Sequence, residues 1–384
     1  MYIEQLSLRN FRNYFEADLR PAPDGITLLR GDNGAGKTNL LEAVYYGGKL
    51  RSFRGAAVQA LIFSGRDQAV VRATADREGR PLLVEIELNA HGRDRLRLNR
   101  QTVRRAEDLV SAVLVTVFSP DDIEIVKGNP QARRDFLDDL AASLYPKYPA
   151  ALAEMERALH QRNALLKSMG GALRPAAAST LDVWDTKLAD AGEQIVASRQ
   201  EASSSLAPEV IAAYEVLATH RGGRGAPAQV GLTYQKSWGG ALGAALSRAR
   251  AEDVRRGVTT VGPQRDDLVL TIGGLAARVQ ASQGEQRSLA LALRLGGHAL
   301  VAVRRGTSPV LLLDDIFSEL DPRRSAALAH CLPPGQTLLT TAGPVPPRLT
   351  IAKTFLVQEG RLEVAEDEVG DATSRHQSHP AEAG

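Results

Sequence analysis

The chain has 384 residues, of which 43% are hydrophobic, and a formal net charge of +2. This length is enough for one large domain or two ordinary ones, and the small net charge argues against indiscriminate binding of polyanions. Cys331 is the only cysteine, which excludes an internal disulfide and a cysteine-rich zinc site. Because the sequence has no signal-like start and no apolar run long enough to cross a bilayer, we expect a cytoplasmic protein with no membrane partner.

The first third of the chain is predicted to consist of strands and turns. Residues 2–8, 68–75 and 81–89 alternate between apolar and polar side chains, and residues 25–29 form an apolar run. Such patterns are typical of strands. A helix is predicted from about Lys37 to Tyr46, directly after a glycine-rich turn.

That turn, residues 31–38, reads GDNGAGKT and matches the P-loop pattern G-x-x-x-x-G-K-[ST] at every fixed position. Glycines let the backbone N–H groups point at phosphates, and the following helix adds the positive end of its dipole. The lysine is expected to reach the β- and γ-phosphates, and the threonine hydroxyl to bind Mg²⁺. The predicted phosphate-binding residues are Gly31, Asp32, Asn33, Gly34, Ala35, Gly36, Lys37 and Thr38.

Arginine predominates among the cations, with 39 arginines among the 47 basic residues. Arginine is the better bidentate ligand for phosphate, although base composition of the genome explains the bias equally well. Residues 91–105 contain six arginines and one aspartate. Their alternation around Leu96 and Leu98 predicts a strand with one basic face.

The middle of the chain, from Asn129 to about Leu217, has the composition of helices. Two apolar stripes at helical spacing are separated by a break rich in glycine and proline, so we predict an antiparallel helix pair. Each helix is expected to span roughly 20 residues, about 30 Å, with ordinary helix packing favoured over a sustained coiled coil. A loop is predicted over residues 221–230, with strands returning near Val261.

An apolar strand from Val310 ends in Asp314 and Asp315. Asp314 suits the Walker B role of holding Mg²⁺, and Asp315 could orient or deprotonate the attacking water. This signal is weak by itself, since many buried strands end in acidic turns. The last residues, from Arg361 onward, carry six acids against two arginines and are predicted to be disordered from 364 to 384.

Residues 282–288 read SQGEQRS and open a helix-like run. Ser282 and the Gly284 backbone therefore form a second anion site at a helix N-terminus. One nucleotide does not need two such sites in one chain. Two chains related by a two-fold axis do, because each Ser282 could then cap the γ-phosphate held by the P-loop of the other chain.

Together these motifs resemble the ABC-type ATPase heads of the structural-maintenance-of-chromosomes (SMC) group, and specifically the RecF family of bacterial recombination mediators. The resemblance runs from residue 1 to about 363. It also rests on residues 8–14, LRNFRNY; 51–54, RSFR; 118–122, FSPDD; 133–138, RRDFLD; and 261–267, VGPQRDD.

This resemblance implies an α/β fold: an ABC-type head with a P-loop core and a β-rich N-terminal part, plus a smaller helical lobe with a short antiparallel arm. The ATPase lobe is predicted over residues 1–130 and 256–363, and the helical lobe over 131–255. It further implies ATP and Mg²⁺ as cofactors and a head-to-tail homodimer that forms on ATP. The implied partners are double-stranded DNA and the proteins RecO and RecR, with which RecF proteins help to load RecA at gaps.

By the same resemblance Arg12, Asn39 and Gln286 join the nucleotide site, and residues 318–321 are similar to the D-loop, which faces the partner chain. Lys37, Asp314, Asp315 and Ser282 are the expected catalytic set. Two features depart from transporter-type heads: the second Walker B acid is an aspartate, and Thr340 and Thr341 stand where those heads carry a switch histidine. Both departures predict slow hydrolysis, suited to a timing switch.

A dimer would align two copies of an arginine surface with the backbone of a DNA duplex. The predicted DNA-binding residues are Arg51, Arg54, Arg66, Arg93, Arg95, Arg97, Arg100, Arg104 and Arg105. Solvated surface arginines are the alternative for any one of them. For the whole chain, the main alternative is the ATPase motor subunit of an ABC transporter, which predicts the switch histidine and a shorter stretch between Lys37 and Asp314. A chromosome-bridging ATPase would need hundreds of coiled-coil residues.

Overall fold

The computed structural model describes residues 1–110, 112–172, 175–219 and 228–365. In chain order, the strands are β1 Tyr2–Phe11, β2 Tyr14–Leu19, β3 Gly25–Arg30, β4 Gln68–Arg77, β5 Arg80–Asn89, β6 Arg95–Leu98, β7 Gln101–Thr102, β8 Val115–Phe118, β9 Val230–Gln235, β10 Asp267–Ile272, β11 Leu275–Ala276, β12 Val310–Asp314, β13 Gln336–Thr341, β14 Ile351–Gln358 and β15 Arg361–Val364.

The α-helices are α1 Lys37–Lys49, α2 Val58–Leu61, α3 Ile123–Lys127, α4 Pro130–Leu144, α5 Tyr148–Ser168, α6 Pro175–Thr219, α7 Leu242–Arg256, α8 Ala277–Gln280, α9 Gln283–Arg305 and α10 Pro322–Cys331. Short 3-10 turns lie at Ala106–Asp108, Pro120–Asp122, Pro263–Arg265 and Ile316–Glu319.

The sheet that positions the candidate site has the order β15-β14-β3-β13-β12-β8. Its strands run parallel except β15, which pairs antiparallel with β14. Every residue of β12 and β13 is buried, as expected for parallel strands covered on both faces. Because parallel strands end at the same edge, the turns after β3, β12 and β13 meet there, and Asp314 lies opposite Thr340 in the register.

A second, antiparallel sheet has the order β2-β1-β4-β5-β6-β7. One face of it packs with α1 and with one face of the parallel sheet into a shared core, in which Leu41 of α1 lies among Val71, Ile86 and Leu312. The other face of the parallel sheet packs against α9 and the helical part of the chain. The P-loop helix α1 is therefore enclosed between two sheets.

The predicted antiparallel helix pair is confirmed. Met155 of α5 packs in one cluster with Leu188 and Ile195 of α6, and Leu166 packs with Leu181 nearer the tip. The predicted length is correct for α5, which has 21 residues, but wrong for α6, which has 45. The far half of α6 continues into the body of the molecule and packs against α9, where its residues join the main core.

The predicted loop over 221–230 lies largely outside the described residues. Strands resume at Val230, earlier than predicted, because β9 pairs antiparallel with β10 over six residues from Val230 to Gln235. The division between lobes at residues 255 and 256 thus falls between two paired strands. That division stays a prediction, and the pairing favours placing β10 and β11 with the helical lobe. The acidic tail beyond residue 365 lies outside the described residues.

Buried ion pairs fix the arm to the lobe. The side chain of Arg162 on α5 is fully buried, and its guanidinium donates to Asp185 on α6 at 2.6 Å and to Asp253 on α7 at 2.7 Å. Arg199 of α6 similarly donates to Asp138 of α4 at 2.7 Å. Since a charge without a partner in such surroundings is costly, these pairs specify how the helices meet.

Candidate nucleotide site and dimer face

The P-loop is held against β14, the strand beside β3 in the parallel sheet. A Cβ on Gly31 would lie 2.2 Å from the Val357 carbonyl oxygen, and Gly36 has φ +115°, so both positions require glycine. The Lys37 ammonium lies inside the loop and donates to the carbonyls of Gly31 and Asp32, both at 2.8 Å. Burial lowers the pKa of Lys37, and nearby carboxylates oppose that shift. The loop therefore has the geometry of a phosphate cradle with its cation in place.

Sequence reasoning missed two residues that brace this loop, although both lie in the LRNFRNY segment. The Asn13 side chain donates to the Ala35 carbonyl at 3.0 Å and accepts from Asn39 at 2.7 Å. The Tyr14 hydroxyl donates to the Gly36 carbonyl at 3.0 Å. The β1–β2 hairpin thus fixes the loop from one side, and Asn39 serves this bracing role.

The predicted metal ligands lie together. Thr38 Oγ1 donates to Asp314 Oδ1 at 2.7 Å, and burial raises the pKa of Asp314, while the hydrogen bonds from Thr38 and Thr340 oppose the shift. Hard oxygen ligands of this kind suit Mg²⁺, which is usually held by one or two protein groups with phosphate and water completing its shell. The described residues contain no cluster of three or more His, Cys, Asp or Glu able to hold a metal. Because Thr38 and Asp314 present two such oxygen donors side by side, they fit Mg²⁺ that arrives with a nucleotide.

Asp315 follows in a left-handed backbone conformation with φ +45°. Its Oδ1 atom is buried, and no hydrogen-bond partner for it lies among the described residues. An unsatisfied buried acceptor is costly unless a ligand or water donates to it. Asp315 also lines the P-loop pocket, so its position fits the predicted role of orienting a water.

The pocket at the P-loop contains one of the arginines predicted to bind DNA. Its lining is Asn33, Gly34, Gly36, Lys37, Thr38, Asn39, Arg54 and Asp315. Arg54 was predicted to bind DNA, but the structure places it in this pocket, within 3.5 Å of the Asn39 side-chain oxygen. Arg51, also a DNA candidate, forms an ion pair with Asp139 at 2.5 Å, so its guanidinium is bound to its own chain.

Arg12 is absent from that lining. Its guanidinium forms two bonds with the buried Glu42 of α1, at 2.7 and 2.8 Å, and a third with the Ala60 carbonyl at 2.8 Å. The residue therefore braces α1, and its direct contact with a nucleotide stays a prediction.

Ser282 begins α9 as its N-cap, as predicted. Its side chain accepts from the Glu285 N–H, and the Glu285 carboxylate accepts from the Ser282 N–H at 2.8 Å, which is a capping box. Ser282 is exposed. Gln286 is buried and donates to the carbonyls of Ala277 and Arg278, both at 3.1 Å. A contact from Gln286 to a nucleotide would require those bonds to break, so in this structure Gln286 orders the turn before the helix.

The segment similar to the D-loop, residues 318–321, lies beside this helix end. Arg287 of α9 pairs with Glu319 at 2.8 Å, and Asp321 caps α10 and pairs with Arg324. A Cβ on Gly284 would meet the Arg324 guanidinium. The N-terminal end of α9 and the segment similar to the D-loop thus form one connected surface.

The predicted basic strand is confirmed as β6, with Leu96 and Leu98 packed against the core and its arginines exposed. Its face is less basic than predicted, because the register places Arg95 opposite Glu87 and Arg97 opposite Glu85. Arg95 approaches Glu87 at 3.3 Å. Arg66 lies over the exposed Phe15 ring, 5.4 Å from its centroid.

Four other arginines of residues 91–105, called the arginine strip, are better candidates for DNA binding. Among the described residues, no carboxylate lies within ion-pair distance of these exposed arginines: Arg93, Arg100, Arg104 and Arg105.

These features define an ABC-type ATPase head of the SMC group: a P-loop and a Walker B strand meet at one sheet edge, and α9, capped by Ser282, begins outside their pocket. Solved SMC heads share the fold. One bound to the C-winged helix domain of ScpA has a TM-score of 0.56 at 17% identity, covering 95% of this chain and 97% of that one. Among the described residues, no helix is both long and apolar enough to pass through a membrane.

More specific similarities identify the family. The family described as RecF/RecN/SMC N terminal domain matches residues 2–338. The DNA replication and repair protein RecF of Streptomyces avermitilis is 40% identical over 379 residues, covering 94% of this chain and all of that protein. Its namesake from Frankia alni is 42% identical over 383 residues, covering 94% and 99%. The structure of the recombination mediator RecF with ATP matches with a TM-score of 0.84 at 27% identity, covering 95% and 98%. The chain belongs to the RecF family.

Proposed function

We propose that this protein binds ATP with Mg²⁺, dimerises head to tail on it, and in that state binds double-stranded DNA during replication and repair. One observation supports the proposed dimer. The P-loop pocket is lined by residues 33, 34 and 36–39, Arg54 and Asp315, and none of the described residues of the α9 N-terminus belongs to that lining. Ser282 is exposed at the N-terminus of α9, where its hydroxyl and its N–H both contact the Glu285 carboxylate of its own chain. Because helix N-termini bind anions, we propose that the γ-phosphate held by a second copy takes the place of that carboxylate.

The proposed chemistry gives a role to each residue beside the P-loop. Lys37 binds the β- and γ-phosphates, and Thr38 with Asp314 holds Mg²⁺, which neutralises charge on the phosphates when bound. Asp315 holds the attacking water by its free carboxylate oxygen and draws its proton. The Asp315 side chain is shorter than that of a glutamate, so hydrolysis is slow. Hydrolysis serves to reset the dimer after each binding event.

DNA binding is proposed to use the exposed arginines of the β6–β7 region, two copies of which a dimer would present together. Contacts of this kind read the phosphate backbone and not the bases. By family membership, we propose that the protein works in the cytoplasm with RecO and RecR to help load RecA at gaps. The transporter alternative is not favoured, since Thr340 and Thr341 stand where transporter-type heads carry a switch histidine.

The test measures particle mass and duplex binding without nucleotide, with ATP and with ADP. The native chain is expected to dimerise and bind duplex only with ATP. Lys37→Met should lose nucleotide binding, whereas Ser282→Arg should bind ATP and stay monomeric. Ser168→Arg, an equal change at an exposed site on the arm, should behave as the native chain. Dimerisation of Ser282→Arg at native strength would contradict the proposal.

A further inference from the structure

Thr340 connects both Walker B acids through one hydroxyl. It lies on β13 and is fully buried. Its Oγ1 donates to Asp314 Oδ1 at 2.8 Å and accepts from the backbone N–H of Asp315 at 2.9 Å. The parallel register, which places Asp314 opposite Thr340, brings the three groups together.

Within the site, the Thr340 hydroxyl acts both as a hydrogen-bond donor and as an acceptor. Thr340 follows Leu338 and Leu339, both fully buried in the same strand. A buried hydroxyl is unfavourable unless its hydrogen bonds are made, and an apolar β-branched residue would fill the same space. Packing alone therefore does not account for a threonine here, whereas its two bonds do.

One of these hydrogen bonds fixes the Asp314 carboxylate, and the other fixes the backbone of Asp315. Asp314 Oδ1 is held from both sides, by Thr38 and by Thr340, which sets the orientation of the carboxylate. The bond to the Asp315 N–H holds the backbone where that residue takes φ +45° and ψ +27°. A non-glycine residue persists in that region only when its surroundings fix it. The orientation of the Asp315 carboxylate follows from that backbone.

We propose that Thr340 is a positioning residue for ATP hydrolysis: its hydroxyl holds the metal-bearing Asp314 and the water-orienting Asp315 in their working geometry. The inference rests on the proposed ATPase function. Thr340 does not line the P-loop pocket, so its replacement is expected to leave ATP binding intact. Partners just outside a metal site commonly change metal affinity or activity by about 10- to 100-fold when removed.

The test compares Thr340→Val, which keeps the shape without the hydroxyl, with Thr340→Ser, which keeps the hydroxyl. Thr337→Val is the matched control, because Thr337 is a buried threonine of the same strand and lies opposite Leu311, three residues before Asp314. Three quantities are measured: ATP affinity without metal, the single-turnover hydrolysis rate, and the Mg²⁺ concentration that gives half the maximal rate.

Thr340→Val is expected to keep its ATP affinity, to hydrolyse about 10- to 100-fold more slowly and to need more Mg²⁺. Thr340→Ser should recover most of the rate, and Thr337→Val should match the native chain. A native rate and Mg²⁺ requirement in Thr340→Val would overturn the inference, as would equal reductions in the valine and serine variants. A native chain that bound no ATP would instead refute the proposed function.

Discussion

Thr38 and Asp314 are separated by 276 residues in the chain, yet their side-chain oxygens lie 2.7 Å apart. They meet because β3 and β12 both pair with β13 and run in the same direction. The P-loop and the end of β12, which lie far apart in the sequence, thus form one oxygen-lined site.

Asp314→Asn tests whether that site holds the metal. The amide keeps the size of the side chain but loses the charge that binds Mg²⁺, so hydrolysis should fall by about 100-fold or more. ATP affinity measured without metal should change little. Asp24→Asn, at an exposed turn before β3, is the control and should retain native hydrolysis. Full Mg²⁺-dependent activity in Asp314→Asn would place the metal elsewhere.

Replacing Arg100, Arg104 and Arg105 with glutamine should weaken duplex binding in ATP. It should also flatten the dependence of log K on log salt by about 0.9 for each DNA phosphate that the protein no longer neutralises. Arg95→Gln should have a smaller effect, because Glu87 already neutralises that charge. Fluorescence anisotropy at several KCl concentrations measures both quantities. An unchanged slope in the triple variant would exclude this strip from the DNA interface.

Two adjacent glycines in α1 should respond oppositely to alanine. A Cβ on Gly48 would lie 2.4 Å from the Val113 carbonyl oxygen, whereas the nearest atom to a Cβ on Gly47 is 4.0 Å away. Gly48→Ala is expected to lower the free energy of unfolding by about 1–3 kcal/mol through overpacking. Gly47→Ala should raise it by about 0.5–1 kcal/mol, since alanine favours helix. Urea unfolding of the two variants measures the contrast, and equal effects would contradict it.

His298 should make the protein sensitive to acid. Burial lowers its pKa to about 4 from an ordinary 6.5, so between these pH values the unfolded chain binds a proton that the folded chain does not. Stability is therefore lost as pH falls from 6.5 toward 4, by about 1.4 kcal/mol per pH unit at most. His298→Leu should flatten this part of the profile in urea unfolding at several pH values. His160→Gln, at an exposed position, should leave the profile unchanged.

Local patterns predicted much of this molecule. The P-loop, the Walker B strand and the Ser282 cap are contiguous motifs whose chemistry depends on neighbours a few residues away. The stripes through Met155 and Leu188 predicted the arm because helix packing follows a short repeat. Each of these features is set by residues close together in the chain.

The contacts that the sequence did not predict share a physical cause, which is pairing across long stretches of chain. Arg12 is held by Glu42, and Arg54 lies in the P-loop pocket; neither position follows from an arginine's immediate neighbours. β9 was missed because the strand that completes it, β10, lies beyond a whole helix. The bracing by Asn13 likewise depends on a hairpin folding over the loop. Sequence periodicity carries no information about such contacts.

The continuity of α6 limits how the arm can vary in length. Its outer half pairs with α5 through residues such as Leu188, and its inner half packs into the body through residues such as Leu206. One residue inserted between them would turn the outer half by about 100° around the helix axis, moving Leu188 away from Met155. Natural lengthening or shortening of the arm must therefore proceed by whole turns, added or removed in both helices at once.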